Sequence, residues 1–388
     1  MIEKFKQHIS EVHAHYQSGD NDLGLRRLLD SVIETQDPEV FKISLEFCDW
    51  LEKQKPDQEM LISHAGEMLE TIKRVGIKKA YQGPETVLEM EGLSKSYHGS
   101  GFRIHNISFS MMLGQITGLV GENGNGKTTL LRLLASELRA DNGTLKYHLE
   151  KKNPDAYDIK TQLIYIEQRI PRWFGKLTDN LQFTVAHYHD NPKANHLWTE
   201  VMIARMGLRA FRNHTWSRIS SGYRTRFELA RTLLRRPRIL LLDEPLANLD
   251  IVAQQTILQD LKYMSNSLSS PFSMILSSQH IYEVEKVSDA IVFIQNGEAR
   301  YESIKEQSKT DGDTGLILEM EINAERSQLQ EALIGVGLTH LQYNGGVYML
   351  HFEQGTHSSE VLRALSEKGL ETLYFRNISR SSRRYFIQ

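Results

Sequence analysis

The sequence predicts an α/β domain with a parallel-sheet core, preceded by an all-α bundle and followed by a small α+β domain. From about residue 87 to 300, strand-like apolar runs alternate with helical ones, which favours a largely parallel sheet. Before this region apolar residues recur at helical spacing, and after it they alternate as in strands. We therefore expect domains at 1–82, 86–305 and 314–388, a division that suits a chain of 388 residues.

The composition is that of an ordinary globular chain, with a net charge of −3 that gives no global basic field. Nucleic acid is therefore not expected as a partner. The single cysteine, Cys48, cannot form an intrachain disulfide, which favours the cytoplasm. No apolar run approaches the roughly 20 residues of a membrane helix, and the N-terminus lacks an apolar signal core. If the protein works at a membrane, another chain must supply the span.

Residues 1–82 show the apolar spacing of four short helices, which predicts a small bundle. The first helix carries one apolar stripe, formed by Ile2, Phe5, Ile9, Val12 and Tyr16. Another helix is expected to start at Asp37-Pro38, because an N-cap aspartate before proline is a typical helix start. This region contains no catalytic motif, and we interpret its histidines as part of a solvated helix face rather than as metal ligands.

The C-terminal region alternates strands and helices in another order. A strand near 316–322 precedes a helix near 326–336, and two further strands near 338–343 and 346–352 follow. Asn344-Gly345 between these two strands is a strong hairpin signal. A helix near 358–368 and a strand near 371–375 complete the order β-α-β-β-α-β, which predicts a ferredoxin-like domain.

In the middle region, a strand-like run at 116–120 leads into a glycine-rich loop and then a helix. The loop reads Gly121-Glu122-Asn123-Gly124-Asn125-Gly126-Lys127-Thr128-Thr129. The spacing G-x-x-x-x-G-K-[ST] between a strand and a helix is that of a phosphate-binding loop. Its glycines let backbone N–H groups converge on phosphates, and the helix N-terminus adds its dipole. We expect Lys127 to contact the β and γ phosphates of ATP, and Thr128 to ligate Mg²⁺.

A second buried strand, 239–242, ends in Asp243-Glu244-Pro245. A carboxylate at the end of such a strand can hold Mg²⁺, and the next carboxylate can orient the attacking water. Alone this pattern is weak, but together with the phosphate loop it indicates ATP hydrolysis.

These motifs, with those around them, resemble the ATP-binding cassette (ABC) family from about residue 87 to 300. The family's signature Leu-Ser-Gly-Gly-Gln corresponds here to Ile219-Ser220-Ser221-Gly222-Tyr223. Ser220 precedes Asp243 by 23 residues, which is a spacing typical of the family. Residues 243–250 match the family's segment that begins with the magnesium-binding carboxylate and ends with the D-loop, at Asp250. Further matches, in family-like order, are the adenine-stacking aromatic Tyr97, the Q-loop glutamine Gln168 and the switch histidine His280.

The resemblance implies a P-loop NTPase cassette with a helical subdomain at about 172–235. It implies catalytic roles for Glu244, His280 and Gln168, and Mg²⁺ binding by Thr128, Gln168 and Asp243. Contacts to ATP are implied for Tyr97, 121–129, Ser220, Ser221, Gly222 and Asp250. Four alternatives stay open: Tyr97 as a core or surface aromatic, Gln168 as a plain polar loop residue, His280 as one of fifteen histidines without a special role, and Ser220 as a helix cap. Ser221 in place of the first signature glycine and Tyr223 in place of glutamine are departures that bear on turnover.

One phosphate loop and one signature per chain imply half-sites, because in the family these elements of one chain face different ATP molecules. We therefore expect a head-to-tail dimer of this chain with itself or a related cassette. The C-terminal region looks like the extension of export-type bacterial ATPases, so we expect an export subunit at the inner face of the cell membrane, with a separate permease chain. The alternatives are a cassette ATPase acting on nucleic acid or the ribosome, and an ATP-gated regulator.

Overall fold

The computed structural model describes residues 2–97, 102–151, 153–189, 191–247, 249–279, 281–303 and 315–379. The chain forms two compact units: Met1–Gln279 with Val292–Tyr301, and His280–Ile291 with Glu302–Gln388. The first unit holds both the N-terminal helices and the central sheet, and the second holds the C-terminal sheet. The domain boundaries expected from the sequence remain predictions.

Four helices form the N-terminal bundle: α1 (Ile2–Gln17), α2 (Asn21–Thr35), α3 (Pro38–Gln54) and α4 (Gln58–Val75). The predicted stripe on α1 is buried at Phe5, Ile9, Val12 and Tyr16. The predicted start of α3 is also confirmed, because the Asp37 carboxylate accepts hydrogen bonds from the N–H groups of Glu39 and Val40 at 2.8 and 3.3 Å.

The central sheet contains nine strands among the described residues, in the order β4-β1-β2-β9-β8-β3-β7-β6-β5. The strands are β1 (Thr86–Ser96), β2 (Arg103–Met112), β3 (Ile116–Val120), β4 (Asn142–Tyr147), β5 (Leu163–Ile166), β6 (Ile239–Leu242), β7 (Ser273–Ser278), β8 (Ala290–Gln295) and β9 (Glu298–Ser303). β3, β5, β6 and β7 run parallel, whereas β1 is antiparallel to β2 and β4. Strands β3 and β6 are buried along their whole length, as expected where helices cover both faces of a parallel sheet.

The helices of the central region are α5 (Lys127–Leu134), α6 (Ala156–Gln162), α7 (Leu177–Tyr188), α8 (Pro192–Arg205), α9 (Ser221–Leu233), α10 (Ile251–Ser265) and α11 (Ile281–Glu285). Helices α7, α8 and α9 make up the predicted helical insertion between β5 and β6. Within the described part of the chain, no helix has both the length and the apolar character that a membrane span requires.

The C-terminal sheet has the order β11-β12-β10-β13, and its described pairs are antiparallel. Its strands are β10 (Ile317–Ile322), β11 (Leu338–Asn344), β12 (Val347–Phe352) and β13 (Thr372–Asn377). Helices α12 (Arg326–Leu333) and α13 (Ser358–Glu367) complete the unit. The order β-α-β-β-α-β and the hairpin at Asn344-Gly345 confirm the ferredoxin-like prediction.

A buried ionic cluster joins the N-terminal bundle to two parts of the central region. Arg205, at the end of α8, has a fully buried side chain and donates to Asp30 of α2 at 2.5 and 3.0 Å and to Asp260 of α10 at 3.0 Å. Arg27 adds ion pairs to Asp30 at 2.9 Å and to Asp260 at 3.2 Å. Nearby, the Glu34 carboxylate accepts from the N–H groups that precede β7. The bundle is therefore fixed to the cassette by specific polar contacts.

The arginines of this cluster lower the pKa of Asp260. Burial acts to raise the pKa of Asp260, but the positive charges of Arg205, Arg26 and Arg27 hold that pKa below its usual value. Because the folded-state pKa is lowered, the stabilisation is present at neutral pH and is lost only as acid titrates Asp260 through that pKa.

We expect Arg205→Met to lower the free energy of unfolding by about 3–5 kcal/mol, because it leaves two buried carboxylates short of their main partner. Chemical denaturation followed by tryptophan fluorescence measures this, since all four tryptophans lie in the first unit. The control is Arg212→Met, which removes an exposed pair with Glu200 and should cost below about 1 kcal/mol. Equal effects of the two substitutions would contradict the assigned role of the cluster.

Candidate active site

Two positions of the phosphate loop, Gly121 and Gly126, lie so close to neighbouring residues that only glycine fits there. A Cβ atom at Gly121 would lie 2.3 Å from the carbonyl oxygen of Ile294. Gly126 has a φ of 106°, and a Cβ atom there would lie 2.9 Å from the Phe102 ring. Side chains cannot be accommodated at such distances, so the loop stays narrow between β3 and α5. Helix α5 begins directly after Gly126, so that its unpaired N–H groups point toward the space above the loop.

The ammonium group of Lys127 is held inside this loop. Its Nζ atom donates to the carbonyl oxygens of Gly121 at 2.7 Å and of Glu122 at 3.2 Å. The same atom lies 3.5 Å from the Glu244 carboxylate, and the lysine is 6% exposed. These contacts place a buried cation at the site where the phosphates of a nucleotide are expected to bind.

Asp243, at the end of β6, accepts hydrogen bonds from three neighbouring elements. The donors are the hydroxyl groups of Thr128 at 2.7 Å, Ser277 at 2.6 Å and Tyr165 at 3.3 Å. Burial, followed by the charge of Asp243, raises the pKa of Tyr165, so its hydroxyl keeps the proton that it donates. Asp243 is 3% exposed, and its carboxylate is thereby oriented toward the first turn of α5.

Glu244 adopts a backbone conformation that is uncommon for its residue type. Its φ is 47°, in the left-handed region, and strain of this kind typically costs about 1–3 kcal/mol. The N–H group of Glu244 donates to the Ser277 hydroxyl at 2.9 Å, which helps to hold this conformation. Among the described residues, the buried Oε1 atom of Glu244 has no hydrogen-bond partner, although Lys127 lies nearby. An acceptor without a donor is suited to hold a water molecule or a substrate group.

Two aromatic residues lie next to the phosphate loop. Tyr97 is 37% exposed, and its ring centroid lies 6.4 Å from that of Phe102. Phe102 would be the nearest neighbour of a side chain at Gly126. The partly exposed ring of Tyr97 is therefore placed as expected for a surface on which adenine stacks, and its role in doing so remains a prediction.

The signature segment is at the start of α9, beside the D-loop of its own chain. A Cβ atom at Gly222 would lie 3.6 Å from the Leu249 side chain. Ser220 occupies the N-cap position of α9 in an extended conformation, but its side chain makes no capping hydrogen bond. Ser220 is therefore the cap residue of α9 by position, as the alternative reading had it, and its contact with ATP stays a prediction. Tyr223 packs on Phe211 with ring centroids 4.1 Å apart, so the residue that replaces the usual glutamine contributes to packing.

The remaining predicted residues occupy three different settings. Gln168, Ser221 and Glu244 all line one cavity of 190 Å³ between the insertion and the end of β6. Asp250 caps α10, where its carboxylate accepts from the N–H of Ala253 at 2.9 Å. The predicted switch residue His280 lies outside the described residues.

Sequence reasoning missed three residues that the structure brings to this site. Ser277 and Tyr165 orient Asp243, and Phe102 packs at the phosphate loop. For Ser277 a signal existed, because polar Ser277-Ser278 follows the apolar run 274–276 at the same sheet edge. Tyr165 lies inside a strand-like run, where a buried aromatic residue carries no special signal.

Comparisons with known proteins agree with this geometry. The family model described as ABC transporter matches residues 104–247. The ABC transporter ATP-binding protein NatA of Bacillus subtilis is 30% identical over 222 residues, which cover 54% of this chain and 86% of NatA. This chain belongs to the ABC transporter ATP-binding family. It is an ATP-binding subunit of this type and an ATPase.

Further relatives and solved structures match the same region. The molybdenum import ATP-binding protein ModC of Saccharophagus degradans is 34% identical over 47% of this chain and 50% of ModC. Among solved structures, cbiO1 of Clostridium perfringens, part of the ABC transporter complex cbiONQ, superposes with a TM-score of 0.52. That match has 18% identity and covers 65% of this chain and 96% of cbiO1, which confirms the cassette fold.

We expect Lys127→Ala to weaken ATP binding about 30-fold or more, because truncating one member of a buried charge pair costs about 2–5 kcal/mol. Equilibrium titration with a fluorescent ATP analogue measures the change. Lys193→Ala, an exposed residue on α8, is the matched control and should bind ATP as the unmodified chain does. Unchanged affinity in Lys127→Ala would reject the site assignment.

Proposed function

We propose that two copies of this chain close head to tail around two Mg-ATP molecules and that hydrolysis in this dimer drives a separate membrane permease. The proposal depends most on one observation, the cluster of Lys127, Thr128, Asp243 and Glu244 at one end of the sheet. A single chain supplies one such cluster and one signature segment. Ser220 and Ser221 are exposed, so the signature segment is accessible to a second chain.

The residues at this site suit a magnesium ion that is also bound by nucleotide phosphates. No group of three or more His, Cys, Asp or Glu residues capable of holding a metal occurs among the described residues. An ion here would therefore be held by the Thr128 hydroxyl and the Asp243 carboxylate, with Gln168 nearby and phosphate or water oxygens completing the set. When bound, Mg²⁺ neutralises charge on the β and γ phosphates. The existing 2.7 Å contact between Thr128 and Asp243 already brings these two oxygens together.

Within the closed site, each protein group has a separate task. Lys127 leaves the loop carbonyls that it now contacts and binds the β and γ phosphates. Glu244 accepts a hydrogen bond from the attacking water and orients it toward the γ phosphorus. Ser277 holds the Glu244 backbone in its left-handed conformation, so the carboxylate is aimed before ATP arrives. We assign the stabilisation of the developing phosphate charge to His280.

The partner's signature segment completes the site by covering the γ phosphate. The Ser220 side chain at the N-cap of α9 makes no capping hydrogen bond, and the first N–H groups of that helix accompany it. Ser221 adds a side chain where the family signature has glycine, which we expect to slow closure. Asp250 acts by holding the start of α10, so that the D-loop keeps its shape at the interface.

The transport part of the proposal has support from the relatives and from the C-terminal unit. Relatives are named for spermidine/putrescine import, molybdenum import and, for one protein of Rickettsia typhi, putative export. Each of these names concerns a transporter, which favours a permease partner over nucleic acid or the ribosome. Export as the direction is our proposal from the ferredoxin-like domain alone, at the inner face of the cell membrane.

We expect Glu244→Gln to retain ATP binding and to reduce hydrolysis at least about 100-fold, because the amide keeps the shape but cannot accept a proton. Trapped ATP should hold the dimer closed, so the variant elutes as a dimer in size-exclusion chromatography with Mg-ATP. The control is Glu137→Gln, an exposed residue paired with Arg132, which should hydrolyse ATP normally. Hydrolysis at the unmodified rate in Glu244→Gln would show that Glu244 is not catalytic.

A further inference from the structure

A glutamate is buried on the signature helix α9. Glu228 is 3% exposed, and both oxygens of its carboxylate accept hydrogen bonds. The indole N–H of Trp173 donates to Oε2 at 3.0 Å. The Arg231 guanidinium donates to Oε2 at 3.2 Å and also to Oε1. We call these three residues the Glu228 network. A buried ion pair seldom stabilises a fold more than apolar packing would, but it fixes the geometry of its members.

The Glu228 network is closed, because its third pair of side chains is also in contact. The central carbon of the Arg231 guanidinium lies 4.4 Å from the centroid of the Trp173 ring, which is a cation–π distance. Each of the three side chains therefore contacts the other two. An indole has a single N–H donor, and a guanidinium binds a carboxylate in one plane. The network thus fixes the position of Trp173 on α9.

Trp173 belongs to the segment 167–176, which joins β5 to α7. It is half-buried, whereas the residues on both sides of it are exposed. The far end of the segment is held by Asn180 of α7, whose amide donates to the carbonyl oxygens of Phe174 and Lys176 at 2.8 Å. Through Trp173, the segment is fixed to α9 as well.

This segment begins at the Q-loop, and α9 begins at the signature. Trp173 follows Gln168 by five residues. Glu228 follows Ser220 by eight residues, which is about two turns or 12 Å along α9. Gln168 and Glu228 both belong to the lining of the 190 Å³ cavity that also includes Glu244. The Glu228 network therefore connects the Q-loop to the signature helix beside the catalytic carboxylate.

The two connected elements serve different ATP molecules in the proposed dimer. There, Gln168 is placed at the ATP held by its own phosphate loop, whereas the signature covers the ATP of the partner chain. Each chain thus carries an element of one site and an element of the other, joined by the Glu228 network. This inference rests on the head-to-tail arrangement proposed above, and adds a connection within each chain.

We propose that Trp173, Glu228 and Arg231 are positioning residues that couple the two ATP sites of the dimer. When Mg-ATP binds at Gln168, the segment 167–176 moves with that residue, and the Glu228 network transmits the movement to α9. The signature then meets the partner's ATP in the orientation that closure requires. Binding at one site thereby favours closure at the other, which is a coupling free energy between two sites.

The test measures ATP hydrolysis by Trp173→Phe as a function of ATP concentration. Phenylalanine keeps a ring beside Arg231 but lacks the N–H that donates to Glu228. We expect cooperative hydrolysis in the unmodified chain, with a Hill coefficient between one and about 2, and a fall toward about 1 in the variant. The affinity of the phosphate loop for a fluorescent ATP analogue should stay unchanged, because the network does not touch that loop.

Two further variants sharpen the test. Glu228→Gln removes the charge that holds Arg231, and we expect it to lower the Hill coefficient as Trp173→Phe does. Combining the two substitutions should lower it no further, because both act through one network. Trp50→Phe is the matched control, since Trp50 stacks on His64 in the N-terminal bundle and its substitution should leave the Hill coefficient unchanged.

Two results would overturn the proposal. One is an unchanged Hill coefficient in Trp173→Phe and Glu228→Gln, with folding checked by circular dichroism. Even with a lower maximal rate, that result would restrict the network to supporting the fold of the insertion. The other is non-cooperative hydrolysis by an unmodified chain that dimerises, which would show that the two sites are uncoupled. Failure of the proposed function is distinguishable, because Glu244→Gln would then remain monomeric with Mg-ATP.

Discussion

The carboxylate of Asp243 links the elements that form the catalytic end of the sheet. It accepts hydrogen bonds from the hydroxyl groups of Thr128 on α5, Ser277 on β7 and Tyr165 on β5. Each hydrogen bond to a buried carboxylate is charge-assisted and stronger than a neutral one. Ser277 also accepts the N–H of Glu244, so the residue that orients Asp243 fixes the next carboxylate as well. The start of α5, the strands β5 and β7 and both carboxylates thus depend on one buried charge.

A second buried charge cluster, formed by Arg205, Asp30 and Asp260, connects the N-terminal bundle to the cassette. Helix α10 begins at the D-loop residue Asp250 and carries Asp260 into the cluster with Arg205 and Asp30. The D-loop, the helical insertion and the N-terminal bundle are therefore connected through one helix and one ion network. The bundle is part of the same compact unit as the ATP site, and its attachment is specific because buried charges accept few alternative partners.

The sequence was sufficient to predict the main elements, because each has a local signal. Glycine spacing specified the phosphate loop, apolar runs specified the parallel strands, and alternation with Asn344-Gly345 specified the C-terminal hairpin. Contacts between distant residues carried no such signal. Arg205 and Asp30 are 175 positions apart, and neither lies in a motif. The left-handed φ of Glu244 is supported by a hydrogen bond to Ser277, 33 positions away, and no local pattern around Asp243 indicates that bond.

The most direct test of this account is ATP hydrolysis and ATP binding by Asp243→Asn, each measured with and without Mg²⁺. The amide keeps the shape and removes the charge at the magnesium position. Its single oxygen can accept either from Ser277 or from Thr128 and Tyr165, because these donors contact different oxygens of the Asp243 carboxylate. The account predicts a folded protein that binds ATP without Mg²⁺ as the unmodified chain does. It predicts that added Mg²⁺ no longer supports hydrolysis. Hydrolysis at the unmodified rate with Mg²⁺ would contradict the central place given to Asp243.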